Sequence, residues 1–165
     1  MDEIDHVAVI PTAPGLWRMA ETYADAAEVL ITSGEPSSHQ FDEPALHLIE
    51  QSIELALKGF LRGADWPPKK LEAFGHRLRN LAEACRSCGL DESFLASHDT
   101  IRVVDAFVAL GKSGHGLRYP CNEACVWIEP SVALAVARRL LAIIKDRCTL
   151  ERQKVAFGQV SDASI

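Results

Sequence analysis

Residues 42–63 read DEPALHLIEQSIELALKGFLRG, and the fold class turns on this stretch. Asp42, Glu43 and Pro44 form a helix start, with acidic residues and proline in the first turn, where backbone N–H groups have no intrahelical partner. Leu46, Ile49, Ile53, Leu57, Phe60 and Leu61 then recur every three or four residues, the period of one helix face. Gly63 is a natural stop. Asp65-Trp66-Pro67-Pro68 cannot continue the helix, because proline lacks the backbone donor and clashes with the preceding turn.

The same grammar extends outward in both directions. Upstream, Pro11 and Pro14 mark residues 1–15 as an irregular arm. A first helix follows over Leu16 to Thr32, with a stripe of Leu16, Met19, Ala20, Tyr23, Ala26, Ala27 and Leu30. A Gly, Pro and Ser loop separates it from the second helix. Downstream, a third helix is expected from Gly75, with Leu78, Leu81, Ala82 and Cys85 on one side and Gly89 as its end. Asp91 caps a fourth, carrying Phe94, Ile101, Val104 and Val108 up to Gly111. Pro130 opens a fifth, with Ala133, Val136, Ala137, Leu140, Leu141 and Ile144 along it, and residues 149–165 form a polar tail. No alternating run suits a strand. The expectation is an all-α fold, an antiparallel bundle of about five helices occupying residues 16–148.

Composition narrows the function classes. The 165 residues suit one domain, 48% of them hydrophobic and 24% charged, which supplies a core and argues against wholesale disorder. The net charge is −6, so the chain is no basic nucleic-acid coat, and any contact with phosphates must use a local patch. The acidic N-terminus does not resemble a secretory signal, and Arg138 and Arg139 interrupt the longest apolar run, so no membrane span is expected. Five cysteines in such a chain read as reduced thiols in a cytoplasmic protein.

Glu50-Gln51-Ser52-Ile53-Glu54-Leu55-Ala56-Leu57-Lys58-Gly59-Phe60-Leu61, then Gly75-His76-Arg77-Leu78-Arg79-Asn80-Leu81, then Leu117-Arg118-Tyr119-Pro120 occur in that order. In this arrangement, over roughly residues 41–145, the chain resembles HEPN (higher eukaryote and prokaryote nucleotide-binding) domains. The resemblance implies an antiparallel bundle of four or five helices, frequently a homodimer. Many members cut RNA as toxins or act beside a nucleotidyltransferase in prokaryotic defence. Their nucleases carry an arginine and, after four to six intervening residues, a histidine. None of His6, His39, His47, His76, His98 and His115 has an arginine at that distance upstream. Arg79-Asn80 begins such a motif, but Cys85 and Arg86 stand where the histidine belongs. Metal-independent RNA cleavage is therefore not expected.

His76, Arg79, Arg118, Lys58 and Glu54 are the candidate ligand-binding residues, and none is assigned as catalytic. His76 at a helix start could bind an anion or exchange a proton, or simply cap the helix. Arg77, Arg79 and Arg86, with Lys69 and Lys70 upstream, make either a phosphate patch or a solvated helix face. Glu54 and Lys58 share a helix face, as a local ion pair worth about 0.3–0.5 kcal/mol or as a polar pair lining a groove near His76 and Arg118. Arg118 could grip a phosphate in two-pronged fashion or pin its loop to an acid. Cys85-x-x-Cys88 with Cys121-x-x-x-Cys125 has loose zinc-ligand spacing, but Cys85 falls on an apolar stripe, so no metal and no cofactor is expected. Trp17, Trp66 and Trp127 read as packing residues. Three functions remain open: a binding or regulatory module for a nucleotide, RNA or partner protein such as a nucleotidyltransferase; a diverged ribonuclease or nucleotide-processing enzyme; and a helical protein-interaction domain.

Overall fold

The computed structural model describes residues 10–33, 39, 41–112 and 128–158, with the side chains of Lys112 and residues 150–158 left out. Its described residues form an all-α bundle of seven helices: α1 (Ala13–Ser33), α2 (Asp42–Arg62), α3 (Pro68–Phe74), α4 (Leu78–Ser87), α5 (Glu92–Leu95), α6 (His98–Lys112) and α7 (Pro130–Gly158). The longest three, α1, α2 and α7, pack on one another, while α4 and α6 lie against them and against each other.

Helix α2 is the central element. All six residues of its expected stripe, from Leu46 to Leu61, are buried, and Gly63 follows the last helical residue. Helix α1 runs antiparallel to it. Ser52 donates its hydroxyl to the carbonyl of Ala20 at 2.7 Å, and seven residues further along α2 the Cα of Gly59 faces Ala13, Leu16 and Trp17 of α1. Helix α7 closes the trio, also antiparallel to α1. The Trp17 indole donates to the Leu141 carbonyl at 3.0 Å, and Arg138 reaches Asp25 and Glu28 near the opposite end of α1.

The structure corrects the expected face of α1 in part. Ala20 and Ala27 of the expected stripe are buried, joined by Ala13 and Ala24, whereas Met19 is 54% exposed and Ala26 is also exposed. Small side chains let two helix backbones approach closely, and here that approach outweighs burial of the larger stripe.

The expected third helix, from Gly75, begins at Leu78 as α4, and a short helix that the sequence reading did not place, α3, precedes that glycine. Pro68 occupies the first turn of α3, where its missing N–H costs nothing. Gly75 then turns the chain with φ +56°, a region L-residues avoid. The fourth becomes α5 and α6. Asp91 caps α5 by accepting from the Ser93 N–H, and these hydrogen bonds hold its carboxyl below the usual range. Ser97 accepts from the N–H of Thr100 at the start of α6. That restart turns α6 so that Val103, Ala106 and Phe107 are buried and Ile101 is 48% exposed, in place of the expected Ile101 and Val104 stripe. Helix α7 also continues to Gly158, ten residues past the expected end of the bundle. Its buried face contains every residue expected from Ala133 to Ile144.

Candidate functional site: a polar cleft between α4 and α6

The sequence pairs Glu54 with Lys58 on one face of α2, and the structure puts that face inward. The Glu54 side chain is only 4% exposed. An isolated carboxylate buried to that degree would be strongly unfavourable, so its two oxygens must find donors. Lys58 Nζ lies 2.6 Å from Oε1, and His76 Nδ1 lies 2.7 Å from Oε2. The pair is thus the base of a three-residue cluster rather than a solvated surface bridge. His76 itself is 71% exposed. It stands on the turn after Gly75, with one ring nitrogen on Glu54 and the rest of the ring outward.

His76 opens onto a cleft of about 530 Å³ lined from three helices and a turn. Arg77, Arg79 and Asn80 form one polar wall, and Glu50, one turn before Glu54, contributes from α2. Leu78, Phe107, Val108 and Gly111 supply the apolar lining. The cleft lies within the size range of small-molecule sites, with an apolar body and a few convergent polar groups. No side chain caps the first turn of α4, so its N-terminal end adds a partial positive charge beside Arg79 and Asn80.

The other basic residues disperse. Arg79 pairs with Asp105 of α6 at 2.7 Å, with both side chains more than half exposed. Arg77 folds back to donate to the carbonyls of Phe74 and Ala73, satisfying the end of α3. Arg86 binds Glu83 and Glu92, and these carboxylates raise its pKa further. Lys70 lies over the Trp66 ring. The expected phosphate patch therefore reduces to the part around His76 and Arg79. Arg118 lies outside the described residues, as do Cys121, Cys125 and Trp127.

The chain finds no match among protein-family models, curated proteins or solved structures. The cleft must therefore be read from its own chemistry.

The described cysteines do not compete with it as a site. Cys85 is fully buried, its Sγ directed at the Leu57 carbonyl. Burial, the largest effect, pushes its thiol far up, and the neighbouring Cys88 and Cys148 add to the rise. Such a thiol is a small core residue, not a nucleophile. Among the described residues no group of histidine, cysteine and acidic side chains is placed to hold a metal ion, and no helix is long and apolar enough to cross a membrane. Sequence reasoning missed Glu50 and Phe107 of the lining, and it missed Asp105. That aspartate lies 26 positions from Arg79, and no local spacing rule connects them.

Proposed function

We propose that the protein is a HEPN-like binding or regulatory module whose α4–α6 cleft takes a nucleotide or the end of an RNA. The observation that carries this reading is the convergence of His76, Arg79 and Asn80 on one apolar-lined cleft. A cation, a neutral amide and the open end of a helix suit a phosphate. Leu78, Phe107 and Val108 suit the flat, weakly polar body of a base. The order of the Glu54, Gly75-His76 and Arg118 motifs, which resembles HEPN proteins, supports the same class of ligand and a role in prokaryotic defence or stress. It also supports a homodimer and a nucleotidyltransferase-like partner.

The test is calorimetric titration of the four nucleoside monophosphates and a short RNA against wild type and Arg79→Ala. Binding in wild type that weakens at least about five-fold in the variant is expected for a charge-assisted phosphate contact. No binding by any probe at millimolar concentration would end this reading.

One observation favours an enzyme as the second reading. A buried carboxylate holding one nitrogen of an imidazole while the other faces a cleft is an arrangement that proton-transfer sites use. Multiple turnover of RNA or a nucleotide by wild type, lost in His76→Ala, would replace the binding module with a diverged ribonuclease or nucleotide-processing enzyme.

A further inference from the structure

The Glu54 carboxylate has a consequence for what the cleft can select. Ionised carboxylates only accept hydrogen bonds. With Lys58 on Oε1 and the ring on Oε2, the contact at 2.7 Å requires the proton of His76 to sit on Nδ1. In the neutral ring the other nitrogen, Nε2, is then an acceptor. The partner it calls for is an O–H or N–H donor, not a bare phosphate oxygen. Arg79, three residues along on the same cleft wall, offers the opposite chemistry, since a guanidinium can only donate.

A cleft that pairs a histidine acceptor with an arginine whose exposed Asp105 pair is weakly held is complementary to a ligand carrying a hydroxyl beside a phosphate. We infer that His76 reads a ribose hydroxyl while Arg79 holds the neighbouring phosphate, so that the cleft distinguishes ribonucleotides from 2′-deoxyribonucleotides. Glu54 acts through His76 and is a positioning residue: buried, it touches no ligand and fixes which ring nitrogen bears the proton. This inference rests on the nucleotide reading above and adds the sugar to it. Recognition of a 2′-hydroxyl is the general means by which proteins tell RNA from DNA.

Replacing Glu54 by glutamine gives the argument its sharpest form. A glutamine amide can donate to Nδ1, which permits the other tautomer and turns Nε2 from acceptor into donor. Loss of the carboxylate that fixes a histidine tautomer is a recognised way to disable a site while leaving its geometry in place.

The experiment uses the full chain near pH 8 and two probe sets, the four ribonucleoside 3′-monophosphates and their 2′-deoxy counterparts. Affinities are measured for wild type, His76→Ala and Glu54→Gln, and nitrogen-15 NMR of the imidazole reports the tautomer. Wild type is expected to prefer a ribonucleotide by about five- to ten-fold, the worth of one hydrogen bond. His76→Ala, a change at an exposed ring, is expected to bind both sugars equally. Glu54→Gln is expected to lose the preference while His76 remains in place, with the proton moving from Nδ1 to Nε2 in the spectrum. Should Glu54→Gln not fold, the wild-type spectrum and His76→Ala decide alone. If monophosphates bind but wild type shows no sugar preference, or if His76→Ala retains it, the inference is overturned and the nucleotide reading survives. If no monophosphate binds wild type, the inference falls, and if a short RNA fails to bind as well, the nucleotide reading falls with it.

Discussion

Two acids hold residues of one cleft under opposite conditions. Glu54 is buried beneath His76 and Lys58, with its side chain 4% exposed, whereas Asp105 meets Arg79 in the open, with its side chain 54% exposed. The distances are nearly the same. The difference lies in what water offers each acid when its partner leaves. Asp105 would be rehydrated at little cost, so its pair is weakly held and Arg79 is available to a ligand. Glu54 has no such alternative, so its cluster is part of the fold and His76 is held in one orientation.

The contrast predicts a descending series of effects. Glu54→Ala should destabilise the protein most, by about 3–5 kcal/mol, because Lys58 is left as an uncompensated charge in a mostly buried place. Urea denaturation would measure it, and a loss under about 1 kcal/mol would mean the carboxylate is better solvated than its position implies. Lys58→Met removes one charged donor from Glu54 and should cost about 1.5–3 kcal/mol by the same measurement. His76→Gln removes a ring that is largely in water, and its cost should stay within about 1 kcal/mol, while ligand affinity falls. Asp105→Asn should change stability least, within about 0.5 kcal/mol. If its cost equalled that of Glu54→Ala, the distinction between a structural and a disposable acid would fail. Thiol labelling offers a parallel check away from the cleft: half-buried Cys88 should react with a maleimide at neutral pH well before Cys85, whose thiol burial pushes far up.

Much of the fold was legible because α2 and α7 carry large apolar residues at strict helical spacing, and a stripe of Leu, Ile and Phe has only one stable destination. Helix α1, of whose expected stripe Ala20 and Ala27 are in the core, was only partly legible for the converse reason. Its larger residues, Met19 among them, outrank alanine on any scale of apolarity, yet Ala13, Ala20, Ala24 and Ala27 form the contact. What decides there is the distance between backbones, which a single helix does not encode. The start near Gly75 was read directly, and the division at Ser97 left a local signal. Ser97 stands three residues before Thr100, the spacing of a side-chain cap. Beside the cleft, Glu54 and Lys58 were readable as one face and His76 as a helix start. That His76 closes onto Glu54, and that Arg79 finds Asp105, depends on how separate helices dock.

The α1–α2 contact also shapes how this sequence can drift. A methyl group placed on Gly59 would come 3.4 Å from Cβ of Leu16, so alanine would just touch and any longer side chain would push the helices apart. The alanines opposite are subject to the same limit. A saturation library covering this seam should therefore sort variants by volume before polarity, passing serine for alanine more readily than leucine for alanine. Elsewhere in the core the order would reverse. The seam acts as a size filter on descent, and lineages of this chain would record it as positions that change often in chemistry and hardly at all in bulk.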